Sequence, residues 1–139
     1  MVFGRTDRKP ERRHGTLRGS CSEPQQLPRT DTFTGEVRGE SRLRLDAGIG
    51  VTEVLVSLGA RTYWHSHRDG EVLQITAGRG CVGTREGSVV AVLSGDTVWA
   101  PPGEVHYHGA TADSFLLHQA VSLDTTTWLE EVSDDDYGH

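Results

Sequence analysis

Residues 59–78 read GARTYWHSHRDGEVLQITAG, and residues 95–110 read GDTVWAPPGEVHYHGA. Each stretch contains two histidines separated by one residue, set among short runs of Val, Leu, Ile, Thr and aromatic residues that end at glycines. Such runs between turn residues are typical of β-strands, and side chains two residues apart in a strand point to the same face. We therefore expect each His-x-His pair to present both imidazoles to one side of a sheet.

Similar apolar segments recur outward from these two stretches, at the spacing of about 8–12 residues that is typical of sandwiches and barrels. We expect strands over 51–58, 62–66, 71–76, 81–84, 89–93, 97–100, 105–109 and 114–123. A short C-terminal helix is predicted over Thr125–Val132, with Asp124 as its N-cap. The pattern thus predicts an all-β, antiparallel jelly-roll barrel over residues 31–139. Alternate residues of each strand would line its central cavity.

Composition limits the class of protein. The 139 residues suffice for one domain, and no apolar run is long enough for a transmembrane helix. Residues 1–30 lack periodicity and have few apolar side chains, so we expect a disordered basic leader there. The two cysteines, Cys21 and Cys81, have no Cys-x-x-Cys spacing, and no secretory signal opens the chain. We expect a cytoplasmic protein.

Charge argues against a nucleic-acid partner. Residues 1–29 hold seven basic and three acidic side chains, whereas the rest of the chain is strongly acidic. The basic residues are scattered without interleaved aromatic residues, and an acidic body repels phosphate. We therefore expect a small-molecule partner and neither nucleic acid nor membrane.

The histidines indicate a metal site. Five of the seven fall within 54 residues, and Glu71 follows His67 by four residues, across a turn that ends at Gly70. Imidazoles from neighbouring strands, together with a carboxylate, can bind one Mn, Fe, Co, Ni or Zn ion. A single His-x-His pair is more often chance than a metal site. The joint spacing of the whole set is what favours a metal centre.

That spacing resembles the two sequence motifs of the cupin superfamily. The glycines, histidines and acid of residues 59–78 fit the first motif without a gap, and residues 95–106 fit the second, whose usual terminal Asn is Ala110 here. Sixteen residues separate the two motifs, as in compact single-domain cupins. The resemblance implies a cupin barrel whose metal ligands are His65, His67, Glu71 and His106.

A narrower resemblance covers residues 31–137. The stretches 32–37, 62–67, 106–111 and 128–132 resemble the small bacterial manganese-dependent hydroxynitrile-lyase-type cupins. In that group a histidine on the strand after the second motif is the base beside the metal, and His118 falls at the matching place. The resemblance implies one divalent metal ion, Mn first among the candidates. The group commonly has Gln where this chain has Glu71, and an anionic ligand weakens the Lewis acidity of a metal.

The resemblance implies a role for His118, and strand alternation suggests roles for His108, Thr52 and Val54. The metal would stabilise charge on a substrate oxygen while a neutral His118 takes the hydroxyl proton of a cyanohydrin. His108 shares a face with His106 and would either bond groups behind the ligands or lie at the barrel rim. Thr52 and Val54 share a face and would line the substrate pocket, unless they pack the barrel interior.

Several functions remain open at this stage. Cleavage of a hydroxynitrile is the activity that the resemblance favours. The same three-His, one-Glu set would support a dioxygenase of the quercetinase or β-diketone type, and some small cupins are polyketide cyclases. A non-catalytic small-molecule-binding cupin is the alternative outside enzymes. By resemblance we also expect a homodimer or homotetramer.

Overall fold

The computed structural model describes residues 2–5, 26–28 and 32–138 of the chain. These residues form strands and turns and contain no helix. Every strand pairing among them is antiparallel. The predicted all-β class is confirmed. No helix that could span a membrane is found in the part of the chain described.

The strands form two layers of a nearly closed barrel. The bounds of the described strands are β1 Val2–Arg5, β2 Gln26–Pro28, β3 Phe33–Thr34, β4 Val37–Leu45, β5 Ile49–Val56, β6 Arg61–Thr62, β7 His65–His67, β8 Glu71–Thr84, β9 Val89–Leu93, β10 Asp96–Ala100, β11 His106–Ala110, β12 Leu116–Leu123 and β13 Thr126–Trp128. In one layer the order is β1-β10-β8-β12-β5-β4-β2. In the other layer β11 pairs with β6, β7 and β8, while β3 pairs with β6, β13 with β7 and β9 with β8.

The longest of these strands, β8, belongs to both layers. Its first half pairs with β10 and β12, and its second half pairs with β9 and β11. The prediction of two strands separated by a turn at 77–80 is therefore wrong, because the chain continues while changing layers. Gly78 lies at the change with φ of 80°, a conformation that favours glycine. A Cβ at Gly78 would also collide with the carbonyl group of Phe115.

An apolar core packs between the two layers. Burial of these apolar side chains supplies the main driving force for closing the barrel. The core consists of Phe33, Val37, Val54, Val56, Ala60, Leu73, Ile75, Val82, Val92, Val98, Ala110, Leu116 and Ala120.

The C-terminal helix predicted over Thr125–Val132 is wrong. Residues Thr126–Trp128 form β13, which pairs with β7. Asp124 has φ of 66°, whereas an N-cap residue has extended backbone. Three consecutive β-branched threonines favour a strand, and β7 offers an edge with which the strand can pair.

Besides β13, four strands lie where the sequence predicted none. β3 and β4 were not anticipated, and β1 and β2 fall within the predicted leader, 1–30, where they pair with β10 and β4. The other residues of the predicted leader lie outside the described residues, and the expectation of a disordered leader stays a prediction.

Candidate metal centre and its cavity

Both His-x-His pairs lie on strands, as predicted, and face the same interior. The two pairs occupy β7 and β11, where His65 lies directly opposite His106. Their ring centroids are 4.3 Å apart, and all four imidazoles of the two pairs are buried. Tyr107, between the second pair, points the other way and packs against Trp64. The period-two alternation of the strands thus separates histidines from aromatic residues.

Glu71, the first residue of β8, returns to the same interior after the turn at 68–70. Its Oε2 atom lies 2.9 Å from Nε2 of His67 and accepts a hydrogen bond of 3.0 Å from the Ser122 hydroxyl. Its Oε1 atom lies 3.3 Å from Nε2 of His106 and 3.7 Å from Nε2 of His108. The structure therefore places a buried carboxylate at the centre of the histidine cluster.

Three of the histidines contact an outer partner through Nδ1, the ring nitrogen that faces away from the cluster. Nδ1–H of His65 donates to the carbonyl oxygen of Tyr63 at 2.9 Å, and Nδ1–H of His106 donates to that of Glu104 at 3.0 Å. Because a carbonyl oxygen can only accept, Nδ1 of each of these two rings carries the proton, and Nε2 faces the cluster. Nδ1 of His67 lies 2.9 Å from the Thr126 hydroxyl. Metal-binding histidines usually have such an outer partner.

His108 differs from these three. It is buried in the cluster rather than at the rim, and its Nδ1 has no hydrogen-bond partner within the described ranges. One ligand atom each from His65, Glu71, His106 and His108 fall within 4.8 Å of one another, a spacing that could hold a metal ion. His67 is in contact with Glu71 but lies outside that tight group. Five side chains thus lie around a site for which the sequence predicted four ligands.

The donor set is suited to a divalent transition metal. Burial lowers the pKa of His65 to about 3, and burial together with the neighbouring His118 lowers the pKa of His108 well below its usual value. Burial favours protonation of Glu71, yet hydrogen bonds from His106 and His67 outweigh it and hold the pKa of this carboxyl well below its usual range. Burial likewise disfavours charge on His106, but its hydrogen bond to Glu71 raises the pKa above the usual value. At neutral pH the imidazoles of His65 and His108 offer lone pairs and Glu71 offers a carboxylate, which are ligands that such metals prefer, whereas a metal bound by His106 would displace the proton that His106 shares with Glu71.

A cavity of about 580 Å³ opens beside the cluster. Thr52 and Val54, on adjacent inward positions of β5, both line it, and so does His118 from the neighbouring β12. Val54 also belongs to the apolar core, so it both lines the cavity and packs the interior of the barrel. The volume suits a small-molecule ligand, because such pockets span roughly 300–1,000 Å³.

His118 faces this cavity as a fully buried, neutral imidazole. Its ring centroid lies 4.8 Å from that of His108 in an edge-to-face arrangement. Burial lowers its pKa to about 4. Neither ring nitrogen has a hydrogen-bond partner among the residues described. An unpartnered buried imidazole that lines a cavity can accept a proton from a bound ligand.

Three contacts of the site were missed by reasoning from the sequence. Thr126 holds His67, Ser122 donates to Glu71, and the Trp128 ring lies over His65 with centroids 4.6 Å apart. The threonine and tryptophan were hidden by the helix prediction. Ser122 could have been found, because it lies four residues after His118 on the same strand and side chains an even number of residues apart share a face.

Comparisons with known proteins show what this chain is similar to. Residues 58–137 match the family model described as AraC-like ligand binding domain. The chain is 40% identical over 116 residues to the (R)-mandelonitrile lyase of Granulicella tundricola, across 77% of this chain and 86% of that protein.

Solved structures share the barrel. A cupin-like protein from Thermotoga maritima superposes with a TM-score of 0.78 and 32% identity, over 86% of this chain and 95% of its own. A protein of the same organism described as a predicted oxalate decarboxylase has a TM-score of 0.63 at 22% identity, over 73% of this chain and 92% of its own, which shows the fold alone. With a family match over more than half of its length and a relative 40% identical over most of it, this chain belongs to the cupins, in the family of AraC-like ligand binding domains.

Proposed function

We propose that this cupin is a metal-dependent lyase that cleaves hydroxynitriles and forms them in reverse. The observation that carries the proposal is the position of His118, a neutral buried base without a hydrogen-bond partner in the described part of the chain, next to a His–Glu cluster. The mandelonitrile lyase that is 40% identical to this chain supports the same reaction class.

The proposed metal ligands are His65, His67, Glu71 and His106. Outer hydrogen-bond partners favour these three histidines over His108, because a ligand imidazole is usually oriented through its second nitrogen. A divalent ion at this site, manganese first and Fe, Zn, Ni or Co as alternatives, would supply Lewis acidity toward the substrate oxygen. The unpartnered Nδ1 of His108 would then be available to the ligand in the cavity.

The chain's own residues account for the proton transfer. His118 accepts the hydroxyl proton of the cyanohydrin, the bond between the carbinol carbon and the nitrile carbon breaks, and its electron pair leaves with cyanide. The former hydroxyl carbon becomes a carbonyl group, and protonated His118 returns the proton to cyanide. The low pKa of His118 favours that return, and the buried surroundings keep competing water away from the reacting atoms.

Racemic mandelonitrile tests this function directly. Protein loaded in turn with Mn, Fe and Zn should release benzaldehyde faster than the uncatalysed background, and a His118→Ala variant with equal metal content should lose about a hundredfold or more of that rate. Equal rates with and without the metal-loaded protein would contradict the proposal.

A dioxygenase is the second candidate, and Glu71 is the observation that favours it. A carboxylate completes a three-His, one-Glu set, and its charge reduces Lewis acidity toward a cyanohydrin. Oxygen uptake in the presence of a flavonol or a β-diketone separates the two functions, because hydroxynitrile cleavage consumes no oxygen.

The proposal also covers the cellular location and the oligomeric state of the protein. We propose a cytoplasmic location, supported by the free thiol of Cys81, and a homodimer or homotetramer. A row of half-buried apolar side chains crosses the outer face of the larger layer and supports contact with a second copy. Light scattering on the purified protein tests the oligomer. The row consists of Leu43, Val51, Val121, Val72 and Trp99.

A further inference from the structure

The cavity mouth carries a cation that the proposed reaction does not use. Arg44 of β4 lies opposite Gly50 of β5, Gly50 lies opposite Ser122 of β12, and Ser122 lies opposite Glu71 of β8. Residues directly opposite one another in neighbouring strands point to the same face of a sheet. Since Ser122 and Glu71 face the cavity, Arg44 does so as well, and it lines the cavity.

A β-bulge in β4 gives Arg44 this orientation. The register shifts between Ser41, opposite Thr52, and Leu43, opposite Val51. Strict alternation from Ser41 would turn Leu43 inward and Arg44 outward. The extra residue at position 42 reverses this, so that the apolar side chain faces out and the guanidinium faces in. Bulges are over-represented beside active sites, where they re-aim a side chain in this way.

Arg44 has no ion-pair partner in the described ranges, whereas Arg42, two residues earlier on the same strand, has two. Arg42 contacts Glu40 at 2.6 Å and Glu53 at 2.8 Å on the outer face. Asp124 lines the same mouth, but its Oδ1 accepts a hydrogen bond from the backbone N–H of Thr125 and it forms no ion pair with Arg44.

The cavity wall between Arg44 and the histidine cluster leaves space for a ligand. Gly50 has no side chain, and a Cβ placed there would meet no described atom within 4 Å. Three strand spacings of about 4.8 Å each separate Arg44 from Glu71 along the row. A ligand with one ring can therefore lie over Gly50 with one end at the cluster and the other at the guanidinium.

We propose that Arg44 forms a carboxylate-binding subsite, and that the substrate is a small molecule whose carboxylate lies at the end opposite the oxygen that reacts beside His118. This inference rests on the proposed function and narrows its substrate class. The planar guanidinium binds a carboxylate through two parallel hydrogen bonds, which fixes the ligand's orientation as well as its charge.

Two aldehydes of nearly equal size test the subsite, 4-carboxybenzaldehyde and its neutral counterpart 4-formylbenzamide. Their affinities for the manganese-loaded full chain are measured by titration calorimetry at low salt. We expect wild-type protein to bind the carboxylate about fivefold more tightly than the amide, a preference that salt weakens. Arg44→Gln should abolish the preference and Arg44→Lys should keep part of it. Arg42→Gln, the matched control on the same strand, should leave it unchanged.

Four outcomes of these measurements would contradict the proposed carboxylate-binding subsite. It is excluded if the preference survives in Arg44→Gln, or if Arg42→Gln removes it to the same extent. Equal affinity of the wild-type protein for both aldehydes also excludes it, as does absence of binding by protein that cleaves mandelonitrile. The lyase proposal is judged separately on neutral mandelonitrile, so the two failures are distinguishable. Thermal melting shows whether each variant is folded.

Discussion

Nδ1 of His67 lies 2.9 Å from the hydroxyl oxygen of Thr126, so the last strand of the barrel orients a proposed metal ligand. The contact exists because Thr126 of β13 is directly opposite His67 of β7. Thr126→Val removes the hydroxyl but keeps the β-branch that suits a strand. We expect metal affinity to fall about tenfold to a hundredfold, the usual effect of losing an outer partner, with little change in fold.

Competition with a chelator of known affinity measures this effect. Thr127→Val is the matched control, since Thr127 is exposed on the same strand and faces away from His67. Equal metal affinity of Thr126→Val and Thr127→Val would show that β13 does not support the ligand.

His67 and His108 give opposite predictions for metal retention. We expect His67→Ala to lose most of its bound metal, because a metal-bound imidazole and its outer hydrogen bond disappear together. His108→Ala should keep nearly full metal content and instead lose turnover of mandelonitrile. Elemental analysis of both variants, purified side by side with wild-type protein, measures the difference. Loss of metal in His108→Ala with retention in His67→Ala would reverse the assignment in favour of the tighter group found in the structure.

Much of the site was predictable because its pattern is local. Alternation placed the His-x-His pairs on one face each, and the turn before Glu71 returned its carboxylate to them. The contacts from Thr126 and Ser122 were not predictable in this way, because they depend on which distant strands pair. The same limit explains the wrong helix: local signals around Asp124 resemble a helix start, but pairing with β7 decides the conformation. The inward turn of Arg44 depends on a bulge that no local pattern reveals.

The charge of Glu71 is expected to restrain lyase activity. Glu71→Gln keeps the shape of the side chain and can still accept the hydrogen bond from Ser122, but it removes one negative charge from the buried cluster. A more positive site stabilises charge on the substrate oxygen better, so we expect cleavage of mandelonitrile to rise about tenfold per bound metal, equivalent to ~1.4 kcal/mol in the activation barrier.

Rates for Glu71→Gln must be divided by metal content, because loss of an anionic ligand also weakens metal binding. Glu53→Gln is the control, since Glu53 pairs with Arg42 on the outer face. A slower rate per bound metal in Glu71→Gln would mean that the carboxylate assists the reaction.

Acid should destabilise the metal-free protein between about pH 6.5 and pH 4. The pKa of His118 is lowered to about 4 and that of His65 to about 3 in the folded state, whereas a histidine in the unfolded chain titrates near 6.5. In this window the unfolded chain binds more protons than the folded one, so the free energy of unfolding falls as pH falls. The slope is about 1 kcal/mol per pH unit for each such histidine.

His108, whose pKa is also lowered in the fold, adds to this slope, whereas Glu71 and His106 titrate outside most of the window. The pKa of Glu71 is lowered in the fold, so its stabilisation is present above its unfolded pKa and is lost only at more acid pH. The pKa of His106 is raised, so its contribution is complete below pH ~6.5 and is lost as pH rises through its folded pKa. Urea unfolding of chelator-treated protein at pH 7, 6 and 5 measures the slope. His118→Gln should make it shallower, whatever the variant's absolute stability, and an unchanged slope would mean that His118 is protonated as readily in the fold as in the unfolded chain.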